Sequence, residues 1–404
     1  MKQAMDYIAA RDLLLELVTP VGTKPLPLED CFGRVLAADL IAGENVPAFD
    51  RSPYDGYALR ASDTQTASRE TPVTLTVTQE LPAGAVPSCD VTPGTAAKIL
   101  TGAPIPSGAD AVVMFEKTQF TDRTVTVFAP VSSGSNIIRA GEDVQAGTVL
   151  AAAGTVIDPG LLGTLAAQGV DRPEVYQTPR IGLISTGSEV RDFGQDLEPG
   201  TIRNTNRYTI ASALAQTGCD PVYLGRAGDD ASAIAGLIRR GLEACDGVLL
   251  TGGVSVGDYD LTPAAMEQAG AEIFIRGLGL KPGMACAMGT CAGKLVCGLS
   301  GNPASAMTAY YAVVLPALRK LAGRHTPVPP EVTLTLAQSF PKSSRSVRML
   351  RGRLDLSTGR ALLHLPPGQG NVVISSMIGC DAMAIVPAGS GPLEAGTELK
   401  GFLL

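Results

Sequence analysis

The chain has 404 residues, more than one hydrophobic core usually supports, so we expect several domains. A formal net charge of -7 argues against a broad surface that binds nucleic acid or anionic membrane, and no uncharged run reaches the roughly 18 residues that a membrane span needs. Eight cysteines without a C-x-x-C pair and two histidines argue against a zinc site and indicate a reducing compartment, so we predict a cytoplasmic protein.

The N-terminal part of the chain is predicted to be helical. An amphipathic helix is expected over residues 6–18, with Asp6 as its N-cap and Thr19-Pro20 as its end. A second, short helix is predicted over residues 28–39. A later helix over residues 158–168 can rejoin these two, which would make the residues between them an insertion.

The insertion has the sequence pattern of β-strands. Apolar and polar residues alternate over 73–78 and again over 124–128, with Gly and Pro turns between them. Residues 49–58 form a predicted loop rich in charged and aromatic side chains, and residues 98–114 contain two turns stiffened by proline. Stiff polar loops commonly bind ligands, although β-turn geometry explains each of these segments equally well.

From Arg180 onward, strands and helices alternate, which predicts right-handed crossovers and a parallel sheet. The predicted strands cover residues 181–185, 222–224, 247–250 and 297–300, and the predicted helices cover 208–216, 231–244 and 304–321. The proline-rich residues 324–330 form a predicted linker. Alternation resumes over 331–336, so a small all-β domain is expected to close the chain.

Two glycine loops follow predicted strands of this sheet, STGSE at Ser185 and TGGVSVGDYD at Thr251. The carboxyl ends of parallel strands face one crevice, where glycines let backbone N–H groups approach an oxyanion. Asp258 and Asp260, at the end of the second loop, suit a hard cation. The alternative interpretation of each loop is a polar turn or a helix cap that binds nothing.

Three further segments carry residues suited to ions. Asp229-Asp230 follows the strand at 222–224 and either brings carboxylates to the same crevice or caps the next helix. Lys281 lies in an apolar stretch, where a cation either meets an anion or extends outward to water. The turn SGNPAS at Ser300 leads from a strand into a helix and suits an anionic group.

Seven motifs, taken in chain order, resemble those of the molybdopterin molybdotransferases, the family that includes the E domain of gephyrin. They are DGYA at Asp55, TGAPIPSGADAVV at Thr101, GED ending at Asp143, STGSE at Ser185, TGGVSVGDYD at Thr251, KPG at Lys281 and GNPAS at Gly301. The resemblance implies an elongated multidomain chain of α/β plus β class. A central parallel-sheet α/β molybdopterin-binding domain would be accompanied by an inserted β-rich domain and a C-terminal β-barrel-like domain.

The resemblance also implies domain boundaries and a homodimer. An N-terminal linker and dimerisation domain would comprise residues 1–45 and 144–178. The inserted β-rich domain would comprise residues 46–143, the α/β domain residues 179–325 and the C-terminal β domain residues 326–404. The inserted domain of one subunit would face the α/β crevice of the other, so that the active site is shared. A molybdopterin adenylyltransferase is a further partner that the resemblance suggests.

The family's reaction inserts molybdate into adenylylated molybdopterin and releases AMP, with Mg²⁺ as cofactor. By motif position, catalysis is assigned to Asp55, Asp143, Asp229, Asp260 and Lys281, and Mg²⁺ binding to Asp229, Asp258 and Asp260. Substrate binding is assigned to Thr101, Thr186, Gly187, Ser188, Glu189, Gly252, Gly253, Ser255, Asn302, Ser305 and Arg351. The first-half residues Asp55, Thr101 and Asp143 would come from the facing subunit.

The sequence departs from the family pattern at two positions where many members have lysine. Gly277 stands four residues before Lys281, and Met284 follows the KPG motif. Arg276, beside Gly277, is a candidate substitute because guanidinium binds oxyanions bidentately. These departures leave the affinity for molybdate open, and the choice between molybdate and tungstate is open as well.

Three alternative functions are compatible with parts of the sequence. A nucleotide pyrophosphate hydrolase, as in the nicotinamide-nucleotide amidase family, uses the same α/β domain but would not need the segments at Asp55 and Thr101. A tungstate-specific paralogue is the second alternative. A non-catalytic scaffold, a role that gephyrin has in addition to its enzymatic one, is the third, and the presence of Asp55, Asp143 and Asp260 argues against scaffolding alone.

Overall fold

The computed structural model describes residues 4–255, 261–357 and 359–404, which form two compact units. The insert unit comprises residues 39–152 and 160–171. The main unit comprises the described residues up to Ala38, residues 153–159, and those from Arg172 onward. No helix within the described ranges is long and apolar enough to cross a membrane.

The insert unit is built on a six-stranded sheet, the insert sheet. Its strands, in spatial order, are Ala111–Met114, Gly56–Leu59, Thr95–Ile99, Val73–Leu81, Thr124–Val127 and Thr118–Phe120. All neighbours are antiparallel except Val73–Leu81 and Thr95–Ile99, which run parallel. Tyr57 and Leu59 pack in one apolar cluster and Ala58 in another, because successive side chains of a strand point to opposite faces.

The predicted strands at 73–78 and 124–128 are confirmed in this sheet. Two of its strands, Gly56–Leu59 and Ala111–Met114, lie in segments that the sequence analysis described as loops and turns. Nearly every residue of these two strands is buried. A strand that is covered on both faces lacks the alternation that marks a half-exposed strand, so the local pattern did not reveal it.

The main unit contains a second six-stranded sheet, the central sheet. In spatial order its strands are Asp220–Ala227, Arg180–Thr186, Gly247–Thr251, Lys294–Leu299, Cys286–Cys291 and Glu272–Arg276. The first four strands are mutually parallel, as predicted. Cys286–Cys291 runs antiparallel to both of its neighbours, so Glu272–Arg276 at the edge again has the direction of the first four strands. The sequence pattern did not predict this antiparallel extension.

Helices cover both faces of the central sheet. Ile210 and Leu214 of one helix pack with Leu183 and Leu249, whereas Ile238 of another packs in a separate cluster with Val248 and its neighbours. The strands are therefore apolar on both faces, which explains their continuous hydrophobic runs. The α-helices of the chain are Tyr7–Leu17, Pro159–Ala167, Thr205–Thr217, Ala231–Ala244, Thr262–Gln268, Pro303–Ala309 and Leu315–Leu321.

The first helix begins as predicted, because the carboxylate of Asp6 accepts hydrogen bonds from the N–H groups of Ile8 at 2.9 Å and Ala9 at 3.1 Å. The predicted helix over residues 28–39 is wrong, and only a 3₁₀ turn at Leu28–Asp30 forms. Val35 and Leu36 instead make β-bridges to Val156 and Val175. Long-range pairing therefore replaces local helical hydrogen bonds in this segment.

The predicted helix over residues 304–321 forms with an interruption. A π-helical turn, Tyr310–Val314, separates Pro303–Ala309 from Leu315–Leu321. The N–H of Leu315 donates to the carbonyl of Tyr310, five residues back. Pro316 follows directly and has no N–H to donate, so the wider turn accommodates a proline inside the helix.

The C-terminal part of the main unit is a closed five-stranded barrel, which confirms the predicted barrel-like domain. Its strands are Glu331–Leu336, Val347–Asp355, Leu362–His364, Ala382–Val386 and Glu398–Leu403, and Leu280–Lys281 joins its edge. Short two-stranded pairs elsewhere are Thr23–Pro25 with Glu174–Tyr176, Leu40–Ile41 with Val149–Ala151, and Val190–Arg191 with Ile202–Arg203. The boundaries of the four predicted domains stay predictions.

Candidate active site

The carboxyl ends of the four parallel strands open into one cavity of about 730 Å³, which we call the crevice. Thr186, Asp229, Thr251 and Ser300 lie at the ends of these four strands or just beyond them, and all four line it. The strand register aligns these ends, since Ser185 pairs with Thr251 and Thr251 pairs with Leu299. The volume is within the range of about 300–1,000 Å³ that is typical of small-molecule sites.

Most of the residues predicted in the second half of the chain line the crevice: Thr186, Gly187, Glu189, Asp229, Gly252, Gly253, Ser255 and Asn302. Ser188 lies beside it, and its Oγ accepts the N–H of Asp229 at 3.2 Å. Asp258 and Asp260 lie outside the described residues. Among residues 4–255, 261–357 and 359–404, no group of three Cys, His, Asp or Glu side chains could hold a metal ion.

The two glycine loops fit closely against each other. Gly252 has a φ of +105°, and a Cβ atom added to it would lie 2.6 Å from Thr186 Oγ1. Thr186 Oγ1 in turn donates to the carbonyl of Thr251 at 3.1 Å, and Thr262 Oγ1 donates to the carbonyl of Gly252 at 2.8 Å. Glycine is therefore required both for the left-handed backbone and for the close approach of the loops.

Two buried asparagines that the sequence analysis missed also line the crevice. Asn204 caps the helix Thr205–Thr217, and its Oδ1 accepts the hydroxyl of Ser185 at 3.1 Å. Asn206 Nδ2 donates to the carbonyl of Gly301 at 2.9 Å, which joins this helix to the GNPAS turn. The position of Asn204 just before a helix was the available signal, because asparagine is a preferred N-cap.

The side chain of Asn206 has an incomplete set of hydrogen bonds. Its Nδ2 faces the carbonyls of Ser300 and Gly301, which fixes the orientation of the amide. Its Oδ1 is buried and has no hydrogen-bond partner within the described ranges. A buried acceptor without a donor costs about 1–3 kcal/mol, so a ligand N–H that reached this atom would remove that cost.

The barrel residue Arg351 holds a loop, residues 369–377, against the helix that begins at Pro303. Its Nε donates to Ser376 Oγ at 2.7 Å and its Nη2 donates to the carbonyl of Gly370 at 2.9 Å. The next carbonyl, that of Asn371, accepts the N–H groups of Ala304 and Ser305. Arg351 thus acts on the crevice through this loop, whose Val372 and Ile374 line it.

Arg351 itself is only 1% exposed, and its Nη1 is buried without an acceptor among the residues that the structure describes. Burial lowers the pKa of this guanidinium below its ordinary value. Ser305, at the same helix start, accepts the N–H of Gly283 at 2.9 Å and so joins the KPG turn to the network. Lys281 is exposed and contributes its backbone to the barrel edge.

The residues predicted in the first half of the chain lie in the insert unit, and all three are exposed. Asp55 Oδ1 accepts hydrogen bonds from the N–H of Thr101 at 2.7 Å and from its Oγ1 at 2.8 Å. These bonds, the backbone one first, lower the pKa of the Asp55 carboxyl. The N–H of Asp143 donates to the carbonyl of Val46 at 3.0 Å, and its carboxylate forms no ion pair within the described ranges.

The two departures from the lysine pattern have a structural context. Gly277 has a φ of +85°, a backbone conformation that would strain a lysine. Arg276 donates to Glu267 at 2.7 Å, so any role for Arg276 in binding an anion requires this ion pair to break. Met284 is 62% exposed and contributes no charge.

Comparison with known protein families covers most of the chain. A model of the MoeA N-terminal region (domain I and II) matches residues 5–169, a model of a probable molybdopterin binding domain matches residues 182–320, and a model of the MoeA C-terminal region (domain IV) matches residues 333–404.

Similar proteins extend over nearly the whole chain. A molybdopterin molybdenumtransferase of Bacillus subtilis is 36% identical over 95% of this chain and 90% of its own length. One from Staphylococcus aureus is 34% identical over 96% of this chain and 94% of its own. The crystal structure of a molybdopterin biosynthesis MoeA protein from Pyrococcus horikoshii is 30% identical, has a TM-score of 0.86 and covers both chains completely.

We predict that Thr101→Val raises the pKa of Asp55 toward the ordinary value of 3.8, because one of the two hydrogen bonds to the ionised carboxylate is lost. The measurement is an NMR titration of the carboxyl carbon. Because the pKa of Asp55 is lower in the folded than in the unfolded state, its ionised carboxylate stabilises the fold above the unfolded pKa. This contribution is lost as the pH falls through the folded pKa. Thr148→Val, an exposed threonine of the same unit, is the control; an unchanged Asp55 pKa in Thr101→Val would contradict the prediction.

Proposed function

Because this chain belongs to the molybdopterin molybdenumtransferases, transferases of molybdenum cofactor biosynthesis, we propose that it inserts molybdate into adenylylated molybdopterin and releases AMP with the help of Mg²⁺. The observation that carries this proposal is the single crevice at the ends of four parallel strands, where both glycine loops and the GNPAS turn meet. An anionic nucleotide fits such a site because glycine loops and helix starts offer N–H groups.

The crevice offers polar atoms for the pterin nucleotide. The free Oδ1 of Asn206 is an acceptor, and both a pterin and an adenine carry N–H donors on one edge. Gly187, Ser188, Gly252 and Gly253 are the proposed contacts for the pyrophosphate. The proposal assigns Thr186, Glu189, Ser255 and Asn302 to the rest of the substrate.

The proposed molybdate subsite includes Arg351, whose side chain is only 1% exposed and would have to be uncovered for an anion from the crevice to reach it. The N–H groups of Arg351 Nη1 have no protein acceptor in the described structure. The guanidinium is also buried, and a buried cation without an anion is costly. A tetrahedral oxyanion would supply that acceptor, and Ser305 and Ser376 lie in the same hydrogen-bond network. Lys281 adds positive charge to the proposed subsite through the adjoining KPG turn. Tungstate has the same charge and shape, so this subsite would accept either.

Mg²⁺ would lower the repulsion between the molybdate dianion and the pyrophosphate and polarise the bond that releases AMP. The carboxylate of Asp229 fits such a role, because it is exposed at the crevice and forms no ion pair within the described ranges. Its neighbour Asp230 instead accepts the N–H groups of Ser232 and Ala233 and caps a helix. We assign Asp258 and Asp260 to the same cation on their motif positions alone.

We further propose a homodimer whose active site is shared between subunits. Asp55, Thr101 and Asp143 are exposed on the insert unit, so their polar groups are available to a second chain. Two hydrogen bonds from Thr101 hold the Asp55 carboxylate ionised and fixed in direction, as a catalytic carboxylate requires. The substrate carries an adenylyl group on its phosphate, so a molybdopterin adenylyltransferase is the proposed protein partner that supplies it.

Purified protein with Mg²⁺ is expected to release AMP from adenylylated molybdopterin only after molybdate or tungstate is added, because the oxyanion is a substrate of the proposed reaction. AMP release is measured by chromatography with and without each oxyanion and with a chelator. Hydrolysis of unrelated nucleotides without metal or oxyanion would favour the nucleotide pyrophosphate hydrolase instead.

Two adjacent carboxylates provide a matched test of the crevice. Asp229→Asn is expected to lower kcat by at least about tenfold, because it removes a charge proposed to bind Mg²⁺. Asp230→Asn removes the same charge one residue away but keeps a good N-cap, so its kcat and melting temperature should remain close to those of the unchanged protein. Equal losses of kcat in the two variants would remove Asp229 from the proposed site.

The shared active site can be tested by mixing two inactive variants. Asp55→Asn and Asp229→Asn are each expected to be impaired alone, whereas heterodimers formed by unfolding and refolding them together carry one intact site. An equal mixture should therefore regain about a quarter of normal activity, since half the dimers are mixed and one of their two sites is intact. Refolded mixtures that are no more active than the separate variants would place both residues in one chain or argue against sharing.

A further inference from the structure

A second cavity of the main unit, of about 400 Å³, lies at the opposite end of the central sheet from the crevice. It is lined by Asp220 and Pro221, which begin a parallel strand, and by the end of the helix Thr205–Thr217. It shares no lining residue with the crevice. We call it the arginine cavity, because Arg34 and Arg324 both line it.

Neither guanidinium has a carboxylate partner in the part of the chain that the structure describes. Arg34 Nη1 donates to the hydroxyl of Thr178. Arg324 Nη2 makes a long contact of 3.4 Å with the carbonyl of Thr217, and its Nε is buried without a partner. Both arginines therefore keep N–H groups that an anion in the cavity could bind.

The other ionisable groups in the wall do not balance these charges. Burial raises the pKa of the Cys219 thiol to about 12, so it is neutral at physiological pH. The carboxylate of Asp220 lies 3.6 Å from Arg180 Nε, and these two charges offset each other. The pKa of Arg319 is lowered, first by burial and second by repulsion from the nearby charge of Arg324. The cavity wall thus carries two guanidinium groups that form no ion pair within the described ranges, while the carboxylate of Asp246 also acts on Cys219.

Aromatic side chains form part of the same wall. The ring of Tyr176 packs directly on Gly323 and occupies the space that a Cβ atom at this position would need. Gly323 also has a φ of +87°, which favours glycine. Phe32 is 64% exposed at the cavity although it is a large apolar residue. A planar ring could stack on these side chains while an attached dianion meets the guanidinium groups.

We propose that the arginine cavity is a second ligand site, which binds a small phosphate monoester that carries a planar ring. The phosphate group accepts the free N–H groups of Arg34 and Arg324, and the ring lies against Tyr176 and Phe32. Guanidinium suits this task because its planar fork donates two parallel hydrogen bonds to a phosphate. The site is independent of the proposed transferase reaction.

The test is a calorimetric titration of the full-length protein with phenyl phosphate, with no Mg²⁺, molybdate or adenylylated substrate present. Arg34→Gln and Arg324→Gln are each expected to weaken binding by at least about tenfold. Arg240→Gln, which removes an equal charge from an exposed helical position, should leave the affinity within about twofold. Inorganic phosphate should bind more weakly than phenyl phosphate because it lacks the ring.

Melting temperatures identify any variant that fails to fold, and Arg34, which lies in a loop, provides the second variant if Arg324→Gln unfolds. Absence of binding to the unchanged protein, or equal affinity in the folded arginine variants, would overturn the proposal. Equal affinities for inorganic and phenyl phosphate would overturn the assignment of the aromatic wall. Because no turnover is measured, these outcomes are separate from success or failure of AMP release.

Discussion

The parallel alignment of four strands is the constraint on which the candidate site depends. Thr186 pairs with Ala227, Ser185 with Thr251, and Thr251 with Leu299, so four chain segments end at the same level of the sheet. Parallel strands need crossover connections, and these place successive loops on one edge. Loops that are far apart in sequence therefore meet in one crevice, and apolar helices on both faces keep that edge in place.

Incomplete hydrogen bonding occurs at the two places that are proposed to bind ligands. The buried side-chain atoms without partners in the described ranges are Asn206 Oδ1, Arg319 Nε, Arg324 Nε and Arg351 Nη1. The first lies at the crevice, the last belongs to the network that holds the crevice loop, and the two others lie in or beside the arginine cavity. Unsatisfied buried groups are costly, and a bound anion or donor would remove that cost.

Local patterns predicted much of the fold. The helix Ala231–Ala244 and the strand Glu331–Leu336 were predicted at both ends, because a capped amphipathic helix and a half-exposed strand have distinct periods. The strand Gly56–Leu59 was missed because both of its faces are buried. The helix expected over residues 28–39 was replaced by β-bridges to distant segments, which no local propensity contains.

The sequence by itself determined the family, the glycine loops after the parallel strands and eight of the residues that line the crevice, since these depend on short motifs and on the edge of a sheet. Only the tertiary structure decided that Arg351 acts through the carbonyl of Gly370 and that Asn206 joins a helix to the GNPAS turn. It also decided that Arg34 and Arg324 line one cavity. These contacts join residues that chain crossovers and barrel closure bring together, and such long-range geometry leaves no periodic signal in the sequence.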